Sequence, residues 1–448
     1  MNSLDIGKFL NNKEVGKLNA SLQVEGSGTS IEKLNAHFDF KIQSMVIHGY
    51  DYHAMDVNGV FNNKKFNGLL TVKDTNAKFT FSGSVNLNDK YTDMDFKADV
   101  ENLDFVKLHF SSPKDSIQKF QSKMMVNLRG NDLASLSGKI IVDSLSYSLN
   151  SKTYFLSSLN LLLNQNSLEK SIEVNSDYLD LDITGKFNLS DIPSSFRKFT
   201  ENYFPTFIKD RKIPKNKILT DNFTFSVRLK NFNKINGLIA PELNISDGAT
   251  LSGRFDISKN EFSVLAQSNK IAYGDIVLTD WKLDGVTKDK SIILTSGADK
   301  IKVTDSLFFD RFRLTSLSTD TTSDFSLAWS NSMRKKNSGD VSGKIFFQNE
   351  SFLIKLLRSD ITIADSIWSI YGDGNSIIVD NSGAIVISDL NINNGEQEIK
   401  ATGKISNNDN DLAHLEITKF KLVQLNPLLS AAQMKRSEEH TSELQSRL

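Results

Sequence analysis

The sequence predicts a mainly β protein, a long curved antiparallel β-sheet built strand after strand, with one or a few short amphipathic helices. Three observations predict it. Apolar residues recur at spacing two along most of the 448 residues, as in Phe79, Phe81, Val85 and Leu87 against Lys78, Thr80, Ser82 and Asn86. The pattern apolar-any-Gly-any-apolar occurs at Val57–Phe61, Phe66–Leu70 and Phe81–Val85, and returns at Leu136–Ile140, Ile183–Phe187, Leu251–Phe255, Val341–Ile345 and Ala401–Ile405. Only 6 prolines occur, as expected where most backbone N–H groups serve sheet ladders. Glycine weakens a strand interior, so its repetition needs a cause: a bend, a bulge or a close backbone approach on the apolar face.

Residues 4–20 lead into strands, with Leu18, Ala20, Leu22 and Val24 alternating. Phe38, Phe40 and Ile42 continue on one face. Residues 55–87 read as three strand passes joined by four-residue loops, Asn62–Lys65 and Lys73–Asn76. Residues 93–110 alternate with a phase slip, and 111–122 suggest a short helix from Ser112 through Phe120. Strands resume at Met124 and run to Leu189. Residues 191–214 then change period. Phe196, Phe199, Tyr203 and Phe207 have helical spacing, with Asp191 placed to cap, Pro193 in the first turn and Pro205 placed to kink or split the helix. This amphipathic helix either touches lipid or a partner, or caps the apolar face of the sheet. Strands return from 222, interrupted by a helical turn at 235–241, and continue to about 430 with loops at Asp380–Gly383 and Asn393–Gly395. Roughly 35–40 strands are expected, which at about 4.8 Å spacing would make a trough on the order of 150–190 Å if they form a single sheet. The chain divides into a first β segment (1–190), the helical insertion (191–221), a second β segment (222–435) and a tail (436–448). The tail, RSEEHTSELQS onward, looks like a translated sequencing-adapter oligonucleotide. It is read as an artefact on a chain truncated at its C-terminus.

Composition excludes several classes. With 53 basic and 54 acidic residues, the net charge of −1 argues against a nucleic-acid partner. The absence of cysteine removes disulfides, thiolate metal sites and cysteine nucleophiles. No run of 18 or more apolar residues appears, so no helical membrane span is expected. Thirty phenylalanines supply bulk with no polar atom to satisfy.

Candidate chemistry is thin. His48 and His53 flank Asp51, but five residues apart on one strand they would face opposite sides, so no metal site is expected. Asp93 with Asp95, and Asp180 with Asp182, share strand faces in the manner of an acid/base pair, or simply of a solvated face. Tyr371–Ser376 holds a lone GxG and reads as a turn. No catalytic residue, cofactor or enzyme activity is expected. What remains is the apolar face. It could be covered by a second sheet, coiled into a closed solenoid, or left as a groove for an apolar ligand.

Residues 4–87 (LDIGKFLNNKEVGKLNA…FSGSVNL) resemble the mid-chain of TamB-like proteins of the AsmA-like superfamily, in their Bacteroidetes form. Residues 361–429 (ITIADSIWSI…FKLVQLNPLL) are similar to a later block of the same chains, and FRKFTENYFPTFIKD to their helical interruption. The resemblance covers most of 1–435; its motifs are degenerate and its strength is their order. It implies a trough-like sheet (a β-taco) with an apolar interior, in a periplasmic bridge anchored to the inner membrane. It also implies phospholipid acyl chains as cargo moving toward the outer membrane, and a partner outer-membrane assembly barrel. The family's N-terminal anchor and C-terminal domain are not in these residues, so anchoring and docking are carried to no position here. On this reading Val57, Phe61, Phe66, Leu70, Phe79, Phe81, Val85, Ile183, Phe187, Leu251 and Phe255 line the lipid groove. The alternatives are a scaffold for outer-membrane protein assembly working through sheet edges, and a structural β-solenoid with a dry core.

Overall fold

A computed structural model describes residues 4–419 except 6, 9–11, 31, 88–89, 112–116, 167–168, 208–217, 305–306, 332–336, 349, 364, 372–373 and 409. The adapter-like tail, Leu425–Leu429 and most of the proposed helix start at Ser112 lie outside the described residues. Among those described, the protein is mainly β, with 29 strands in one antiparallel sheet. Fewer strands form than the 35–40 expected because many run 11–13 residues and pass through phase slips as bulges. Thr92–Asp104, for example, shifts register between Val100 and Leu103 against Gln118–Arg129. The chain divides into two compact units, Met1–Ser190 with Phe225–Ile235, and Asp191–Thr224 with Asn236–Leu448.

The first unit is a meander. Val15–Ser27, Asn35–Ile47, Tyr50–Asn62, Lys65–Lys73, Ala77–Leu87, Thr92–Asp104, Gln118–Arg129 and Ser137–Leu149 each pair with the next. Lys152–Leu156 and Leu159–Gln165 then share Ser137–Leu149, and Lys170–Ser176 and Leu179–Lys186 follow. The loop expected to hold four residues at Asn62–Lys65 holds two. Asn63 and Lys64 both take positive φ, 49° and 62°, which gives the turn a twist matching the strands it joins. Phe120 lies in a strand opposite Leu103 and Tyr147, not in a helix. Strand Thr92–Asp104 also ends before Phe105. Residues 105–110 fold back, and Leu108 enters a buried cluster with Leu18, Ala20, Ile42, Tyr52, Met55, Val72 and Ala77. That cluster closes one margin of the unit.

In the second unit, strands from Thr250–Asp256 through Glu261–Tyr273, Ile276–Lys288, Ser291–Lys302, Phe308–Ser318, Thr322–Asn331 and Asn337–Phe347 form a similar meander. Ser351–Leu356 and Ser359–Ile363 divide the edge of Asn337–Phe347 between them. Helix α1 spans Ile192–Tyr203. Its first turn holds Pro193, as expected. Asp191 sits at the N-cap, but its side chain makes no capping hydrogen bond. The helix stops before Pro205, and Pro205–Phe207 forms a 3₁₀ turn, because proline cannot donate to the helical ladder.

The repeated glycines answer to close approach. A Cβ at Gly68 would lie 2.7 Å from Phe66 Cζ, and one at Gly59 would also meet that ring at 2.7 Å. One at Gly343 would lie 2.6 Å from Phe325 Cζ, and at Gly339 the ring of Trp329 fills the space outright. At these positions an aromatic side chain lies on the bare backbone of its own or the next strand, whereas Gly83, Gly138 and Gly403 take positive φ and lie against the backbone of the neighbouring strand. Gly339→Ala is expected to expel the Trp329 ring and cost about 1–3 kcal/mol, the usual range for overpacking. Intrinsic fluorescence should shift to the red with a lower unfolding midpoint; an unchanged spectrum and midpoint would refute the packing argument.

Candidate functional site

Antiparallel pairing converts the alternation of single strands into rungs that cross the sheet. In the first unit one rung reads Leu22, Phe40, Val57, Leu70, Phe81, Ala98, Met124, Val142 and Leu159, each opposite the next. The next reads Val24, Phe38, Gly59, Gly68, Gly83, Phe96, Val126, Ile140, Leu161, Val174 and Leu181. A third runs from Gly26 and Ala36 through Phe61, Phe66, Val85, Met94, Leu128, Gly138, Leu163 and Ile172 to Ile183. No polar side chain interrupts any of the three. Three glycines of the repeat lie side by side on the middle rung, and the Phe66 ring of the third rung lies over two of them, Gly59 and Gly68.

The face is apolar and sealed only in part: Ala36, Ala98, Val126, Leu128, Val142, Leu163 and Ile172 are buried. Val57, Phe61, Phe66, Leu70, Phe79, Phe81, Val85 and Ile183 are all half-buried. A dry core between packed sheets would bury such side chains fully. The opposite face carries cross-strand ion pairs, Lys78 with Glu101, Lys123 with Asp99 and Arg129 with Asp93. Exposed pairs of this kind stabilise little; they mark the face that meets water.

The remaining expected lining residues lie elsewhere. Phe187 is buried, 7% exposed. In the second unit Leu251 is 38% exposed and Phe255 fully buried. The cause is α1. Phe196 stacks on Phe255 with ring centroids 4.5 Å apart, and Phe199 meets Phe255 at 5.7 Å and Phe262 at 5.3 Å. Tyr203 is buried and tied to Asn260, donating to its carbonyl (3.3 Å) while Asn260 Nδ2 donates to the phenol (2.9 Å). The stripe Phe196, Phe199 and Tyr203 thus faces the sheet, whereas Phe207 lies in the 3₁₀ turn. Beyond α1 the same face of the second unit carries Leu283, Leu294, Leu314, Leu327 and Val341, with Ser296 standing between Leu283 and Leu314 and Ser316 opposite Leu294.

The polar candidates disperse. His48 is in the turn between two strands, not on one strand with His53, and its Nε2 lies 3.6 Å from Glu14. His53 Nδ1 lies 3.3 Å from the Gln43 carbonyl. Among the described residues no three His, Asp or Glu side chains gather as a metal site. Asp93 pairs with Arg129, and Asp180 with Lys230 at 2.6 Å. Gly372 and Asp373 of the GxG turn lie outside the described residues.

One buried polar group was not legible in the sequence. Asp74 accepts from Tyr50 Oη (2.6 Å), the Asn76 amide (2.8 Å) and the His53 amide (3.1 Å). Burial, and then the bond to Asp74, push the Tyr50 phenol above its ordinary 10.0. A raised value means that stability is fully present below pH 10 and is lost as pH rises through the folded value. Tyr50→Phe is expected to cost about 1 kcal/mol at neutral pH. Its melting temperature should converge on that of the parent protein in alkali; a gap independent of pH would exclude this linkage.

Among the described residues no helix is long and apolar enough to cross a membrane. Comparison with family models, curated proteins and solved structures gives no match.

Proposed function

We propose that this protein is a lipid-transfer protein that moves phospholipid between two membranes, its acyl chains laid on the apolar face of each unit and its headgroups in water. The observation that carries the reading is the set of three adjacent rungs, apolar across nine to eleven strands and half-buried over Val57, Phe61, Phe66, Leu70, Phe81 and Val85, although Val126, Leu128, Val142, Leu163 and Ile172 farther along them are buried. A face of this size is not left to water without an occupant. Each buried CH₂ contributes about 0.8 kcal/mol, which offsets withdrawal from a bilayer. Rungs of similar composition, repeated at strand spacing, offer many near-equal positions, so a chain can slide without a deep trap. A TamB-like bridge in the periplasm, anchored to the inner membrane and working with an outer-membrane assembly barrel, is the setting this proposal adopts.

Native mass spectrometry of the chain purified from membranes in mild detergent tests it. Co-isolated phospholipid, released on unfolding, is the expected result. Crosslinks to nascent outer-membrane strands with no lipid bound would replace this reading with an assembly scaffold.

A further inference from the structure

The second unit holds an occupant for its own apolar face. Helix α1 places Phe196 and Phe199 against Phe223, Phe255 and Phe262. It lies where the lipid reading would otherwise place acyl chains, and it presents the same chemistry. On the rungs of the first unit Phe61, Phe66, Phe81 and Val85 stay half-buried, with no helix packed on them among the described residues.

The manner of attachment is informative. Asp191 gives α1 no side-chain cap, its first turn has no acidic residue and its last turn no basic one. The C-terminal end therefore lacks the usual charge stabilisation of a helix terminus, and the N-terminal end lacks a capping hydrogen bond from Asp191. A 12-residue helix is marginal by itself. Its helicity therefore depends on the aromatic contacts and on a few polar ties. Ser195 Oγ donates to the buried carboxylate of Asp221, and Asn202 Nδ2 donates to Asn260 Oδ1 at 2.9 Å. Just beyond, Thr206 Oγ1 donates to the Gln348 carbonyl at 2.8 Å, and Phe204 meets Phe347 at 6.0 Å. Asn260 and Gln348 are in turns at the ends of strands five spacings apart, about 24 Å in a flat sheet. From Tyr203 to Thr206 the backbone spans about 10 Å at most. The Tyr203 side chain makes up part of the difference, and curling of the sheet toward α1 the rest. Helix and 3₁₀ turn together clasp two parts of one margin.

We propose that α1 is a displaceable stopper: an internal substitute for acyl chains that lipid must lift from Phe255 and Phe262 before it can occupy this part of the second unit. The inference rests on the lipid-transfer reading. Removing α1 exposes an aromatic bed that acyl chains can cover again, so the exchange trades one apolar contact for another. The polar ties bias it toward the closed state in the absence of lipid.

The absence of cysteine from the chain makes the test direct. Asn202→Cys and Asn260→Cys are joined with a short bis-maleimide, or each is capped with N-ethylmaleimide as the unbridged control. Circular dichroism checks that both forms keep the parent fold. A benzophenone amino acid replaces Phe262 in one set of proteins and Phe81 in another. Each is irradiated with phosphatidylethanolamine–phosphatidylglycerol vesicles, and adducts are identified by mass spectrometry. The expected result is lipid capture at position 81 in both forms. At position 262, lipid is captured in the capped form, and this capture is lost in the bridged form, where the probe reacts with α1 instead. Equal lipid capture at 262 in both forms, or none in either form while position 81 captures lipid, would overturn the stopper and leave the lipid reading standing. Absence of lipid at both positions would remove both.

Discussion

Phe81→Asp is expected to abolish lipid capture by the first unit, read with a benzophenone probe at Leu70, while leaving the fold intact. Phe81 stands opposite Leu70 and Ala98 on an all-apolar rung and is half-buried. A carboxylate there would have to lose its water when acyl chains cover the rung, a cost of several kcal/mol without a partner. A loss of even about 1.4 kcal/mol is tenfold in occupancy. In the lipid-free protein the new carboxylate can still reach solvent, so the cost to stability is smaller. Ser82→Asp is the control, because the next residue along the strand points to the opposite, exposed face. Equal loss in the two variants would assign the effect to charge and not to the face. Unchanged capture in Phe81→Asp would remove the face from lipid binding.

The second large effect belongs to Phe255. It is fully buried among Phe196, Phe199, Phe223 and Phe262, with centroids 4.5–6.4 Å away. Phe255→Ala would leave a cavity that strand backbones on one side cannot collapse to fill. A cost of about 3–5 kcal/mol is expected, against roughly 1 kcal/mol or less for Leu251→Ala on the same strand face, where solvent already reaches the side chain. Hydrogen exchange resolved by segment is the measurement. Protection should fall across 192–203 and 250–262 in Phe255→Ala and stay at the parent level in 55–87. A cost equal to that of Leu251→Ala would mean that α1 does not depend on this contact.

Both predictions draw on residues singled out by alternation and by the glycine pattern, but they assign them different work. Phe81 and Phe255 occupy positions of the same five-residue motif, Phe-Ser-Gly-Ser-Val and Leu-Ser-Gly-Arg-Phe. One lies open on a face and the other lies under a helix. Nothing local distinguishes them, because the covering element is about 55 residues away in sequence and arrives through the tertiary fold. The aromatic stripe of α1 was legible, as was the ambiguity of its target. Its inward orientation required the positions of Phe223 and Phe262.

The amino-acid sequence by itself determined that the chain makes strands, which side of each strand is apolar, where one amphipathic helix interrupts them and that glycine recurs on the apolar side. These are properties of neighbours two to four residues apart. Only the tertiary structure decided which residues share a rung. A strand that slips by two residues keeps every side chain on its face and yet changes all its partners. Register was settled by features with weak local signals: the two-residue turn at Asn63-Lys64, the bulges such as that at Val100–Leu103, and aromatic rings seated on glycine backbone. The uninterrupted rungs on which the lipid proposal stands are a product of that register.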